Sequence, residues 1–291
     1  MLHSAKRRWA APAVAVLLLT TTAGAAVAKD VSGTPGPDRL RGTRGADIIS
    51  ALAGNDRVRA LAGDDTVSAG DGNDRVLGGR GADRIDGEHG ADRLWGNAGN
   101  DVLNGLWGPD RLYGGQGDDR LSGDVPNAGD PVSRDRLYGG QGNDALLGGD
   151  GRDRLLAGPG NDTADGQGGR DLLVGGPGDD VQQGAAGNDV IFANLGRDTT
   201  YGGAGNDRLF AVARADVQGP DDTAGDALNG DDGNDRIFVR DGEQDVVDCG
   251  LGYDRVRADF KDIVNTNCEQ VLRAVPRPRD SAPEDRAPGA N

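Results

Sequence analysis

A glycine followed two positions later by an aspartate recurs at a nine-residue step through most of this 291-residue chain. The first pair is Gly36 and Asp38, and the pairs continue to Asp207 with one short interruption after Asp119. Two positions after each aspartate comes a mostly apolar residue, such as Leu112. A fixed period of this kind indicates one small structural unit stacked many times, so the chain is predicted to be a solenoid.

The composition favours stacked units and argues against a globular core. Glycine accounts for 51 of the 291 residues and shows no three-residue period, which excludes a collagen-like chain. Only 35% of the residues are hydrophobic and 4% aromatic, which is enough for a solenoid because each rung buries one or two side chains. The formal net charge of −16 predicts attraction of divalent cations and repulsion of nucleic acid and anionic membranes.

Each unit is predicted to combine a tight glycine-rich turn with one short β-strand. The three residues after a turn, such as Arg93-Leu94-Trp95, suffice for one strand whose central side chain points inward. Two units make a coil of eighteen residues, which stacks Asp56 close to Asp74. We therefore predict an all-β fold, a parallel β-roll (β-solenoid) with two nonapeptides per coil, interrupted by one short insertion.

The stacked aspartates predict bound calcium. Carboxylates this close cannot all stay ionised unless a cation lies between them, and carboxylate and turn-carbonyl oxygens suit Ca²⁺ better than transition metals. The unit is best kept at residues 139–147 and resembles the RTX, or haemolysin-type, calcium-binding nonapeptide repeat, over roughly residues 33–254. The resemblance implies multiple Ca²⁺ ions, each shared by aspartates one coil apart. The candidate ligands are Asp38, Asp47, Asp56, Asp65, Asp74, Asp83, Asp92, Asp101, Asp110, Asp119, Asp135, Asp144, Asp153, Asp162, Asp171, Asp180, Asp189, Asp198, Asp207 and Asp235.

Arginines that directly follow aspartates offer an alternative, a salt-bridged solenoid without metal. Exposed pairs of this kind contribute only about 0–1 kcal/mol each, too little to order a glycine-rich chain. The arginines are Arg39, Arg57, Arg75, Arg84, Arg93, Arg111, Arg120, Arg136, Arg154 and Arg208.

The N-terminus is predicted to be a signal peptide, residues 1–28. It has a basic triplet at 6–8, an apolar stretch at 13–19 and an Ala-x-Ala cleavage site at 26–28. A membrane anchor is the alternative, but the apolar stretch is well below the ~20 residues needed to span a bilayer. We expect the protein to be secreted, to the extracellular side.

The remaining chain divides by its repeats, and its two cysteines suit an exported protein. Cys249 and Cys268 are predicted to form a disulfide that clamps the last coil, the alternative being two free buried thiols. The segments are a first repeat block at 33–122, an insertion loop at 123–134, a second repeat block at 135–258 that is irregular after 210, a C-terminal cap at 259–272 and a disordered tail at 273–291.

The residue inventory argues against catalysis. His89 is the one histidine left after signal cleavage, and no serine lies in a nucleophile-elbow sequence. The abundant carboxylates are periodic, so calcium ligation explains them without acid–base roles. The resemblance implies that enzymes with such repeats, namely proteases, lipases and epimerases, carry a separate catalytic domain. We expect no room for such a domain in this chain. We predict a protein that is not an enzyme.

One outward position carries large apolar residues in alternate units. Their whole-coil spacing predicts a row on one side of the roll, exposed to solvent, that a protein, a second copy or a polysaccharide would cover. The alternative is a ladder that only stabilises neighbouring strands. We call these residues the apolar stripe: Leu77, Trp95, Tyr113, Tyr138, Leu156, Val174, Phe192 and Phe210.

The sequence thus favours a secreted calcium-binding module with a structural, adhesive or partner-binding role at or outside the cell surface. Two alternatives stay open, a calcium-binding scaffold without a partner and an accessory to a secreted toxin or enzyme. We expect no nucleic-acid partner and no membrane insertion.

Overall fold

The computed structural model describes residues 27–124, 133–211 and 225–275, and every regular element within them is a β-strand. Consecutive strands alternate between two sheets, and all of the paired strands are parallel, as successive coils of a β-roll require. None of the described residues belongs to a helix that could cross a membrane. Most of the predicted signal peptide, insertion loop and tail lies outside the described residues.

The first sheet is a stack of thirteen strands, with one further strand paired at its side. The stack consists of β1 (Asp30–Ser32), β3 (Ile48–Ser50), β5 (Thr66–Asp71), β7 (Arg84–His89), β9 (Val102–Trp107), β11 (Arg120–Asp124), β13 (Ala145–Gly151), β15 (Thr163–Gly169), β17 (Val181–Gly187), β19 (Thr199–Ala204), β21 (Ala227–Gly233), β23 (Val246–Asp248) and β26 (Ile263–Val264). The additional strand β24 (Leu251–Gly252) pairs with β21.

The second sheet also contains thirteen strands, each following a strand of the first sheet around the coil. They are β2 (Arg39–Arg41), β4 (Arg57–Ala62), β6 (Arg75–Arg80), β8 (Arg93–Ala98), β10 (Arg111–Gln116), β12 (Arg136–Gln141), β14 (Arg154–Leu156), β16 (Leu172–Pro177), β18 (Val190–Leu195), β20 (Arg208–Phe210), β22 (Arg236–Val239), β25 (Arg255–Ala258) and β27 (Gln270–Arg273).

Most strands are longer than the three residues that the sequence predicts. The strand β10, for example, runs for six residues and includes the first glycines of the following turn. Because each turn lies directly on the turn of the next coil, their backbones pair as well, as Gly115 does with Gly140. The predicted C-terminal end of these strands was therefore wrong, because they continue into residues that the sequence assigns to the turn.

The inward apolar residues form the core, but polar residues divide it. One buried cluster runs from Ile49 to Ile191 and a second from Leu209 to Cys268. Between them, Gln182 and Thr200 are buried on the first sheet. The sequence indicates a loss of apolar burial here, and hydrogen bonds offset it, since Gln182 Nε2 donates to the Phe192 carbonyl at 2.9 Å and Thr200 Oγ1 lies 3.4 Å from Gln182 Oε1.

The stack continues in register across two longer coils. The insertion separates Tyr113 from its partner Tyr138, yet the strands on both sides pair without a slip. A second long coil, which the prediction of a single insertion missed, places Asp198 next to Asp226 at a separation of 28 residues. Residues 212–224 of this coil lie outside the described part of the chain. The extra residues lie between rungs. Stacking requires only that the strands of neighbouring rungs pair in register, whatever the length of the connection between them.

The last coil contains the disulfide and extends both sheets. A disulfide joins Cys249 to Cys268, and the short strands β26 and β27 form the final rungs within residues 259–273. The inward residue Val271 is 40% exposed, because no further coil covers it. The disulfide therefore ties together the two coils at the open end of the solenoid.

Candidate calcium-binding turns

The turn aspartates form two continuous ladders, one along each edge of the roll. The backbone N–H of each aspartate donates to Oδ1 of the aspartate one coil further along, as Asp74 does to Asp92 at 2.7 Å and Asp83 does to Asp101 at 2.7 Å. The first ladder contains Asp47, Asp65, Asp83, Asp101, Asp119, Asp144, Asp162, Asp180, Asp198, Asp226, Asp245 and Asp262.

The second ladder follows the same rule and ends in a glutamate. It contains Asp38, Asp56, Asp74, Asp92, Asp110, Asp135, Asp153, Asp171, Asp189, Asp207, Asp235, Asp254 and Glu269. All of the aspartates that the sequence singles out as calcium ligands lie on one of the two ladders.

Sequence reasoning missed the last members of each ladder. Asp226, Asp245 and Asp262 extend the first ladder, and Asp254 and Glu269 extend the second. The nine-residue step drifts after Phe210, so spacing alone does not assign them. One signal remained, because Gly252-Tyr253-Asp254 keeps the glycine two positions before the aspartate.

The second carboxylate oxygen of most ladder aspartates is buried without a hydrogen-bond donor. This holds for Oδ2 of eighteen aspartates on the ladders, among them Asp56, Asp101 and Asp189. Among the described residues, Arg84 forms an ion pair with Asp86 at 3.1 Å. Asp86 points outward and does not belong to either ladder. The arginines therefore do not neutralise the ladders as a salt-bridged solenoid requires.

Burial raises the pKa of many of the ladder carboxyl groups, among them Asp74 and Asp110. Desolvation is the largest cause, followed by an opposing hydrogen bond from a backbone N–H, and it raises the pKa of Asp74 to about 6 and that of Asp110 to about 9. Neighbouring carboxylates of the same ladder raise these values further. At neutral pH, ionised carboxylates in these turns need a cation close by.

The donor atoms of the turns fit a hard divalent cation. Each coil offers buried carboxylate oxygens together with backbone carbonyls, and oxygen ligands of this kind suit Ca²⁺. Among the described residues, no group of three or more His, Cys, Asp or Glu side chains could hold a metal by itself. Carbonyl oxygens of the turns must therefore complete any coordination shell.

Glycines keep room for the carboxylates in these turns. A Cβ at Gly114 would overlap Oδ2 of Asp119, and a Cβ at Gly96 would overlap Oδ2 of Asp101. At Gly90, φ is 141°, a conformation that other residues rarely adopt. Where glycine occupies the first position of a unit, a side chain there would crowd the aspartate five positions later, whereas other units place a buried alanine at this position, such as Ala51 and Ala60.

Three turns differ because a hydroxyl group contacts the carboxylate. Thr34 Oγ1 lies 3.0 Å from Asp38 Oδ2, and Ser133 Oγ lies 2.8 Å from Asp135 Oδ2. Thr43 donates its backbone N–H to Asp47 Oδ2, and its hydroxyl donates to Oδ1. These three aspartates have hydroxyl donors, whereas Oδ2 of most other ladder aspartates has no donor, so we expect the three to bind calcium less tightly.

The apolar stripe lies in one row on the outer face of the second sheet, as register partners. Trp95 stacks on Tyr113 with ring centroids 5.3 Å apart, and Tyr113 stacks on Tyr138 at 4.8 Å. We expected the whole row to be exposed, but Phe192 and Phe210 are buried.

The burial of these two rings has a local cause, and the row extends further than the sequence indicated. Phe192, Phe210 and Phe238 stack on one another, and partly buried aliphatic side chains pack against them. Leu77 is 38% exposed, and Trp95, Tyr113, Tyr138, Leu156 and Val174 are half-buried. The accessible part of the stripe thus consists of its first six residues, from Leu77 to Val174.

His89 lies at the end of β7 on the first sheet. Its Nδ1 lies 3.4 Å from Asp71 Oδ1, and its ring stacks on Trp107 with centroids 4.4 Å apart. Both the histidine and its carboxylate partner are largely exposed. Asp71, His89 and Trp107 are register partners on successive coils, so the stacking of the coils explains both contacts.

Comparison with solved structures gives a distant neighbour. A hyperactive, Ca²⁺-dependent, β-helical antifreeze protein from an Antarctic bacterium matches with 18% sequence identity and a TM-score of 0.38, covering 88% of this chain and 83% of that chain. Comparison with curated protein sequences gives no match.

Comparison with protein families is more informative. The RTX calcium-binding nonapeptide repeat matches at residues 32–67, 68–103, 95–125, 133–155, 147–182 and 175–209. These segments cover more than half of the chain and contain most of both aspartate ladders. The β-roll, the stacked turns and the repeated match together place this chain in the RTX calcium-binding nonapeptide repeat family.

Proposed function

We propose that this chain is a secreted, calcium-loaded β-roll that serves as a binding module, without catalytic activity, at or outside the cell surface. The observation that carries the proposal is a groove of about 620 Å³ on the outer face of the second sheet. Trp95, Tyr113 and Tyr138 line it, together with amide side chains that include Gln116 and Gln141. Apolar walls with a few polar groups are typical of ligand sites.

Calcium has a structural role in this proposal. Loaded turns fix the positions of successive coils, and the groove exists only when four coils are stacked in register. Without cations, repulsion within the ladders opposes stacking, while the thin core returns little free energy. Binding to a surface is therefore expected to require calcium.

The test is binding of the labelled chain 29–291 to native cell envelopes in calcium and in chelator. The double variant Tyr113→Ser/Tyr138→Ser should fold with calcium but bind at least about tenfold more weakly, because aromatic anchors dominate interfaces. Tyr201→Ser is the matched control, since Tyr201 is exposed on the first sheet. Equal binding by both variants, or binding that persists in chelator, would refute the proposal.

A calcium-binding scaffold without a partner is the second candidate. The parallel stacking of Phe192 on Phe210, with interplanar angle 15°, favours it, because buried rings of this kind stabilise strands rather than bind ligands. If the serine double variant fails to reach the folded state in calcium, the ring row is structural and this candidate prevails.

A further inference from the structure

The outer face of the second sheet carries a second row, which consists of arginines. On β6, β8, β10, β12 and β14 it precedes the apolar stripe by two residues, so both rows point outward. Seven successive rungs contribute one arginine each, in register: Arg39, Arg57, Arg75, Arg93, Arg111, Arg136 and Arg154. With rungs roughly 4.8 Å apart, the row is about 29 Å long.

These arginines have no carboxylate partner among the described residues. The ion pairs there involve Arg84 with Asp86 and His89 with Asp71, all on the first sheet. The neighbouring ladder aspartates are buried and point into the turns. When calcium neutralises those carboxylates, the arginine row stays positively charged although the whole chain is acidic.

The first sheet has no comparable row. At the equivalent position its strands carry Thr66, Arg84, Val102, Arg120 and Ala145 in succession, so two arginines occur there and they are not adjacent rungs. A general preference for arginine after the aspartate would place the residue on both sheets. The concentration on one sheet indicates that this face has a specific partner.

A groove lies against the C-terminal end of the row. It has a volume of about 330 Å³ and is lined by Arg134, Arg136, Arg152, Arg154 and Arg170, together with aspartates of the second ladder. Guanidinium groups this close repel one another, and each can hold a carboxylate through two parallel hydrogen bonds. A ligand with anionic groups at regular intervals would relieve this repulsion along the row.

We propose that the arginine row, with the aromatic rings beside it, binds an acidic polysaccharide whose sugars carry carboxylates. This inference rests on the proposed function, because it names the ligand class of the same face. The arginines recur at the rung spacing of roughly 4.8 Å, so a polymer that carries a carboxylate on each sugar can place several carboxylates along the row. Asn97, Gln116 and Gln141 line the groove beside the rings and offer hydrogen bonds to sugar hydroxyl groups.

Two other polyanions fit this face less well. Single-stranded nucleic acid binds by stacking its bases on free aromatic faces, whereas Tyr113 has its faces covered by Trp95 and Tyr138. An anionic membrane surface attracts basic residues, but anchoring needs apolar groups that protrude, and these three rings are half-buried.

The test measures binding of short oligogalacturonates to the mature chain in excess calcium by isothermal titration calorimetry. The variant Arg93→Gln/Arg111→Gln should lose at least about tenfold in affinity, because charge-assisted hydrogen bonds are lost. The matched control Arg84→Gln/Arg120→Gln changes the same strand position on the first sheet and should stay within about twofold. Methyl-esterified oligogalacturonate, which has the same backbone without charge, should not bind.

Four outcomes would contradict the proposal. Equal losses in the two double variants would mean a diffuse charge effect, and binding of the methyl ester would remove the role of the arginines. Binding of single-stranded DNA or of phosphatidylserine vesicles without binding of oligogalacturonate would assign the face to another polyanion. If Arg93→Gln/Arg111→Gln does not fold in calcium, Arg93→Lys/Arg111→Lys keeps the charge and should weaken binding through loss of the paired hydrogen bonds. Calcium-dependent envelope binding without oligogalacturonate binding would refute this inference and leave the proposed function standing.

Discussion

At the scale of the residue, the ladders depend on an unusual pairing of aspartate with glycine. Many of the carboxylates lie where a glycine five positions earlier leaves space, and for most of them Oδ2 is buried without a hydrogen-bond donor. Glycine thus serves two purposes at different positions of the turns, a positive φ at residues such as Gly90 and space beside the carboxylate at residues such as Gly114. Changing one glycine should disturb one turn without altering any charge.

The substitution Gly114→Ala tests this directly. Its Cβ would overlap Asp119 Oδ2, so we expect a loss of about 1–3 kcal/mol in stability, typical of overpacking, and weaker calcium binding. Calcium titration followed by circular dichroism gives both effects. Gly36→Ala is the control, because its Cβ would meet only Thr34 Oγ1 at 4.0 Å. Equal midpoints for the two variants would contradict the steric role.

A second residue-scale prediction concerns the hydroxyl groups that contact carboxylates. Ser133→Gly removes the contact with Asp135 Oδ2 and restores a glycine two positions before that aspartate. We expect the variant to bind more calcium per chain than the parent at subsaturating concentration. The bound calcium is measured by equilibrium dialysis. An unchanged uptake in a folded variant would show that the serine does not compete with the cation.

At the scale of the element, the polar pair Gln182 and Thr200 tests how strands of the first sheet stack. Gln182→Leu alone leaves the Thr200 hydroxyl and the Phe192 carbonyl without their partner, an effect that costs about 1–3 kcal/mol per buried group. Gln182→Leu/Thr200→Val replaces both members and should be more stable than the single variant. Denaturant midpoints in saturating calcium, arranged as a double-mutant cycle, measure the coupling. Additive effects would mean that the two side chains do not interact.

The elements also show how far the sequence predicts the structure. The nine-residue period predicts the parallel β-roll, because glycine, aspartate and apolar positions repeat together. It does not predict the burial of Phe210, since Phe238, which stacks on it, follows after a coil of irregular length. Glu269 is beyond prediction for a similar reason, because only the stacked backbone shows that it accepts a hydrogen bond from Asp254.

At the scale of the whole molecule, proton and calcium binding are linked. The folded-state pKa values, about 6 at Asp74 and about 9 at Asp110, exceed the ordinary value of 3.8, so the folded chain binds protons more tightly than the unfolded chain. In chelator, stability is therefore greatest below about pH 4 and falls as pH rises through the folded-state values.

This linkage predicts that acid partly replaces calcium. In chelator, the strand signal in circular dichroism should be stronger at about pH 5 than at about pH 8, whereas in millimolar calcium the chain should be folded at both values. The physical reason is that either a proton or a bound cation neutralises the ladder carboxylates and so removes the repulsion between them. The repeat family and the oxygen-rich turns favour calcium as that cation. A full strand signal in chelator at the higher pH would contradict the calcium dependence of folding.

The register of the two longer coils has a consequence for how such a chain changes its length. Tyr113 pairs with Tyr138 although seven extra residues enter between them, so loops are tolerated wherever they leave the rungs. The repeats are less free than the loops, because consecutive nine-residue units lie on alternate sheets. Gain or loss of eighteen residues adds or removes a complete rung and keeps the arginines on their own side. A change of nine residues would move every later unit to the other sheet, and the arginine row would then continue on the opposite face. A chain that uses one face for binding must therefore gain or lose its repeats in pairs.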